Sequence, residues 1–132
     1  MKGEIEMYEI SAMGHFDAAH FLRGYSGKCA NIHGHRWKVE IILQGGELDN
    51  LGILVDFMDV KGMLKAVLNT FDHKMINDIP PFDLINPTAE NIAEFVFGQM
   101  ADQLKHQTGK QIGITRVTVW ESESASAAYF KS

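Results

Sequence analysis

Cysteine is nearly absent: Cys29 is the one thiol in 132 residues, so no disulfide can form within the chain, and a lone thiol suits a reducing compartment. Proline is scarce as well. All three prolines lie between Pro80 and Pro87, so the rest of the chain carries no fixed break in helix or strand. Positive charge is in deficit, with twelve Lys and Arg against seventeen Asp and Glu. A net charge of −5 repels a polyanion, which makes nucleic acid a poor partner. No apolar run approaches the roughly 18 to 20 residues that span a bilayer, and no apolar signal region opens the sequence. The expectation is a cytoplasmic protein with no membrane or nucleic-acid partner. At 45% hydrophobic and 22% charged residues, the whole span 1–132 reads as one globular domain.

What is present is patterning. His33, His35, Trp37, Val39, Ile41 and Leu43 alternate onto one face of a strand, and Gly34, Arg36, Lys38, Glu40 and Gln44 onto the other, with Ile42 the exception. Glu4 to Phe21 alternates more loosely and reads as a long strand that can bend at Gly14. Asp56 caps a helix in which Phe57, Val60, Leu64, Val67 and Phe71 form the apolar stripe, ending near Asp72 and His73. A second helix starts at Thr88, carries Ile92, Phe95, Val96, Met100 and Leu104 inward, and closes at Thr108-Gly109. Ile114 to Glu121 and Ala127 to Phe130 read as two further strands. The order ββααββ predicts an α+β domain: a four-stranded antiparallel sheet with both helices on one face. Its other face and two edges stay uncovered, which favours association between copies.

Several residues carry chemistry. His33 and His35 share a side of their strand and continue the apolar face of Trp37, so both imidazoles need partners for their ring nitrogens. A shared cation satisfies both, and His20 can add a third ligand if the first two strands pair. Three histidines with one open position is the composition of a catalytic zinc site, whereas tolerated histidines at a sheet edge would explain the same spacing. Cys29, four residues before His33, can serve as a base or nucleophile beside such a cation, or be a small packing residue. Asp72 can orient His73, although adjacent Asp and His also occur as a solvated helix end. Glu121 shares the inward parity of Val117 and Val119, so its carboxylate needs a donor, either a ligand with paired N–H groups or a Lys or Arg of the same sheet.

Five segments in order resemble the 6-pyruvoyltetrahydropterin synthase family over essentially the whole chain. They are Phe16-Asp17-Ala18-Ala19-His20, Cys29-Ala30-Asn31-Ile32-His33-Gly34-His35, Phe71-Asp72-His73-Lys74-Met75-Ile76-Asn77, Asn86-Pro87-Thr88-Ala89-Glu90-Asn91 and Val119-Trp120-Glu121. The resemblance implies a tunnelling fold, in which subunits join their sheets into a barrel as trimers or hexamers, with active sites at subunit interfaces. It implies zinc on His20, His33 and His35, a cysteine base at Cys29, an Asp-His relay at Asp72 and His73, a pterin anchor at Glu121 and a pocket-lining position at Thr88. The three residues between Cys29 and His33 match the queuosine-pathway branch, which forms 6-carboxytetrahydropterin, whereas the pyruvoyl branch typically has five. The expected reaction is cleavage of 7,8-dihydroneopterin triphosphate. The alternatives are the pyruvoyl reaction on the same substrate and a zinc- or pterin-binding module without turnover. The segment after Glu121 departs from some members of the branch.

Overall fold

A strand buried on one face alternates in sequence, and β2 (His33–Gly45) does so through its middle: Trp37, Val39, Ile41 and Leu43 are fully buried while Arg36 and Lys38 face outward. The computed structural model describes residues 3–107 and 111–131. β1 (Tyr8–His20) runs antiparallel to β2, with Phe16 opposite Trp37 and His20 opposite His33. After β2 come α1 (Phe57–Leu68), the two-residue strand β3 (Lys74–Met75), α2 (Ala89–Gln107), β4 (Ile112–Ser122) and β5 (Ala125–Phe130).

The sheet has five strands in the order β3-β1-β2-β4-β5 and is mixed, which corrects the expected four-stranded antiparallel sheet. The four long strands are antiparallel to their neighbours, and β3 joins the edge of β1 in parallel, at Ala18 and Ala19. The His73 N–H donates to Asp17 O at 2.6 Å and draws the chain alongside β1.

Both helices lie on the face of Phe16, Trp37, Ile41, Val117 and Val119, α1 over β1 and α2 over β4 and β5. Asp56 caps α1 by accepting from Met58 N at 2.8 Å, as its position predicts. The helix ends at Leu68 rather than near Asp72, because the Phe71 N–H turns back to Leu68 O. Gly14 does not break β1; a Cβ there would stand 3.0 Å from Leu68 Cδ1, so the glycine lets α1 approach the strand. Thr88 Oγ1 accepts from Asn91 N at 3.1 Å and caps α2. The expected closure at Thr108-Gly109 lies outside the described residues.

Candidate active site

The antiparallel register brings three imidazoles together at one end of the sheet. His20 ends β1 opposite His33, and His35 lies two residues further along β2, opposite Ala18. Ring centroids stand 4.5 Å apart for His20 and His33, 4.7 Å for His33 and His35, and 5.3 Å for His20 and His35. Trp37 closes the inner side, 4.8 Å from the His20 ring. Two of the rings are oriented by carbonyls. Nδ1–H of His20 donates to Pro87 O at 2.8 Å, and Nδ1–H of His33 to Asn31 O at 2.7 Å. Each bond places the proton on Nδ1 and leaves the Nε2 lone pair facing the cluster, the tautomer a metal ligand requires.

Glu121, near the end of β4, completes the group. Its Oε1 stands 2.9 Å from His20 Nε2, 3.2 Å from His35 Nε2 and 3.9 Å from His33 Nε2. Nε2 of His20 and of His35 are buried and make no hydrogen bond. Burial pushes both imidazoles below the ordinary histidine range. The Pro87 carbonyl and Glu121 pull His20 the other way, and Glu121 does the same for His35. Neutral rings with inward lone pairs are the ligating form. Donors about 2.0 to 2.1 Å from a tetrahedral cation stand about 3.3 Å apart, and the four donor atoms here all lie within 4.8 Å of one another. The three imidazoles therefore supply the donors of a zinc-type site, with the Glu121 carboxylate beside them.

Beside this group opens a cavity of about 450 Å³ lined by Lys28, Cys29, His33, His35, Glu121 and Ser122. Cys29 reaches it from the short 3-10 turn Lys28–Ala30, whose loop is tied to the chain after β1 by the Leu22 N–H donating to Cys29 O at 2.8 Å. The structure thus joins Cys29, three histidines and Glu121. Lys28, one of the basic residues that the sequence places near these segments, lines the cavity, whereas Ser122 breaks no periodic pattern and carries no signal in the sequence. The Pro87 and Asn31 carbonyls carry no side-chain signal at all.

Asp72 and His73 form their own group at the β1 edge. Asp72 Oδ2 stands 3.0 Å from His73 Nδ1, and Oδ1 accepts from Asp17 N at 3.0 Å. That backbone N–H is the chief reason the Asp72 carboxyl lies below its usual range; burial opposes it and His73 adds to it. His73 adopts the left-handed φ of 59° and leaves its ring 78% exposed. Neither residue lines the cavity of its own chain. Nor does Thr88, whose hydroxyl is spent on the α2 cap.

The family model described as 6-pyruvoyl tetrahydropterin synthase matches residues 9–132. The chain is 32% identical to the 6-carboxy-5,6,7,8-tetrahydropterin synthase of Haemophilus influenzae, over 93% of this chain and 99% of that protein. It is also 32% identical to the protein of that name from Bacillus subtilis, over 92% and 84% of the two chains. Among solved structures, Caenorhabditis elegans 6-pyruvoyl tetrahydropterin synthase superposes with a TM-score of 0.81 at 26% identity, covering 99% of this chain and 100% of that one.

Proposed function

This chain belongs to the 6-pyruvoyl tetrahydropterin synthase family, and on that premise we propose that it is a zinc-dependent 6-carboxy-5,6,7,8-tetrahydropterin synthase. It would convert 7,8-dihydroneopterin triphosphate and water to 6-carboxytetrahydropterin, acetaldehyde and triphosphate, a step towards queuosine. The observation that carries this reading is the convergence of the His20, His33 and His35 imidazoles and the Glu121 carboxylate beside a cavity that His33, His35, Glu121 and Cys29 line. The spacing of three residues from Ala30 to Ile32, and the names of the relatives at 32% identity, favour the carboxy product.

His20, His33 and His35 would hold zinc, which supplies a Lewis acid for the oxygens of the substrate side chain. Cys29 takes a proton from that side chain at its Sγ. His73, oriented through Nδ1 by Asp72, presents Nε2 for the second proton transfer. Glu121 accepts the paired N–H donors of the pterin ring and sets its distance from the metal ligands. Since the Asp72-His73 pair lies outside the cavity of its own chain, the complete site is shared between copies, in a homo-oligomer of three or six subunits in which Thr88 lines the assembled pterin pocket. The open sheet face bearing Met13, His15, Arg36 and Lys38 would turn towards the bore of the barrel. The span 1–132 acts as one domain, in the cytoplasm.

The second reading is the pyruvoyl reaction named for the Caenorhabditis elegans structure, which eliminates triphosphate and keeps the carbon chain whole. Incubation with dihydroneopterin triphosphate, followed by mass analysis of the pterin and an assay for acetaldehyde, decides between them. Acetaldehyde with 6-carboxytetrahydropterin supports the proposal. A pyruvoyl pterin without acetaldehyde selects the second reading, and unchanged substrate leaves a binding module.

A further inference from the structure

Two motif asparagines have no part in the reaction above, and each uses its side-chain amide as both donor and acceptor. Among the described residues the buried polar side chains are His20 and Asn77, and Asn77 bonds the backbone of Phe21, the residue after His20. Asn77 Oδ1 accepts from Phe21 N at 3.0 Å while its Nδ2 donates to Phe21 O at 3.0 Å. Two residues on, Asn86 repeats the arrangement: Oδ1 accepts from Arg23 N at 2.8 Å and Nδ2 donates to Arg23 O at 2.9 Å. In an extended chain, alternate residues turn N–H and C=O to the same side, where a neighbouring strand would satisfy them. Here two side-chain amides, each with a donor and an acceptor, replace that strand.

The same clasp reaches the ring of His20. Asn91 donates from Nδ2 to Asn86 O at 2.9 Å and from its backbone N–H to Thr88 Oγ1 at 3.1 Å, so the α2 cap fixes residues 86 to 88. Pro87, between them, points its carbonyl at His20 Nδ1. Arg23 closes the circuit, its guanidinium donating to Ile85 O at 3.3 Å and Asn77 O at 3.4 Å. His20 is thereby held at its backbone through Phe21 and at its ring through Pro87.

We propose that Asn77 and Asn86 are positioning residues for the metal centre: their amide clasp on Phe21 and Arg23 sets the place of His20 and, through Pro87, the tautomer that presents Nε2. The inference rests on the zinc reading of the histidine group. Removing an outer-shell partner of a ligating histidine typically weakens metal binding by about 10- to 100-fold.

The test is zinc affinity by competition with a chromophoric chelator, set against thermal unfolding of the metal-free chain. Asn86→Ala, which acts on His20 only through Pro87, should bind zinc about 10-fold more weakly than wild type, the low end for loss of an outer-shell partner, and Asn86→Asp, which keeps the acceptor for Arg23 N but loses the donor, should fall between. Val67→Ala, which thins the core beneath α1 and takes no part in the clasp's hydrogen bonds, serves as the control for general destabilisation. It should lower the unfolding temperature and leave zinc affinity unchanged. Wild-type affinity in both Asn86 variants overturns the proposal, as does an equal loss in Val67→Ala. If wild type takes up no zinc, the metal reading fails, and the clasp is decided by two-bond 1H–15N NMR of the metal-free protein. His20 should then show the Nδ1–H tautomer in wild type and mixed tautomers in Asn86→Asp; an unchanged ring overturns the clasp.

Discussion

The Glu121 carboxylate stands 2.9 Å from Nε2 of His20, and the two share no hydrogen bond. With the His20 proton committed to Pro87, lone pairs face lone pairs across that gap. Such a pair is costly unless a cation or a proton lies between them. Zinc should therefore bind at about one per chain and raise the unfolding temperature, and free zinc at 1,000 times Kd would stabilise the fold by about 4 kcal/mol. Changing His33 and His35 together to Ala should abolish both the uptake and the shift. Zinc retained by that double variant, by elemental analysis, would remove the assignment.

The same burial predicts how the metal-free chain responds to acid. His20 and His35 are held below the ordinary histidine value, so as pH falls the unfolded chain takes up their protons first. The unfolded state binds more protons, and stability declines as pH drops from about 6.5 through the depressed native values. Asp72, also depressed, adds a loss of the same sign at lower pH, through the carboxylate range. Urea midpoints of the metal-free protein should fall between about pH 7.5 and pH 5, less steeply in His35→Gln. A flat midpoint would mean that both imidazoles accept protons freely in the folded state.

Much of this site is legible before folding is known. The alternation from His33 to Leu43 puts two imidazoles on the buried side of β2, and the parity of Glu121 with Val117 and Val119 turns its carboxylate the same way. Sequence leaves open what Glu121 meets; among the described residues its partners are the three histidines, not a Lys or Arg. β3 is not legible, because two residues carry no period and their pairing depends on the backbone of Asp17, 55 residues before Asp72. The Pro87 and Asn31 carbonyls are invisible for a related reason: any residue supplies a carbonyl, and only the folded chain aims it. Thr88 shows the opposite case, since its capping role follows from its place after Asn86-Pro87.

Glu121→Gln separates ring recognition from scaffold. If Glu121 anchors the pterin as proposed, the amide puts an N–H against the ring's N–H donors, so one donor is left unpaired and a charge-assisted bond is lost, at a cost of about 2 to 4 kcal/mol in pterin affinity. Metal-free stability should not fall, because the carboxylate meets the His20 and His35 lone pairs without a hydrogen bond and the amide N–H can donate to one of them. Calorimetric titration with a pterin, beside thermal unfolding, reads both quantities. Unchanged affinity with much earlier unfolding would make Glu121 a structural residue.

The separation of Asp72-His73 from the cavity of its own chain predicts complementation between inactive variants. Cys29→Ala should keep zinc and assembly yet lose about 100-fold or more in turnover, the usual contribution of a positioned base. His73→Ala should also lose most of its rate if the exposed ring held by Asp72 serves as the second proton-transfer group proposed above. If each site takes Cys29 from one copy and His73 from another, random mixed oligomers contain intact sites built from one variant's histidine and the other's cysteine. About a quarter of the sites should then be whole, which follows from independent choice of two neighbours in a symmetric ring. The two variants are unfolded together, refolded in equal amounts and assayed against each refolded alone. Recovery towards a quarter of wild-type activity supports the shared site. Should the mixture stay as inactive as its components, with zinc content and oligomer size at wild-type values, the dyad does not serve a neighbouring copy and the interfacial site is wrong.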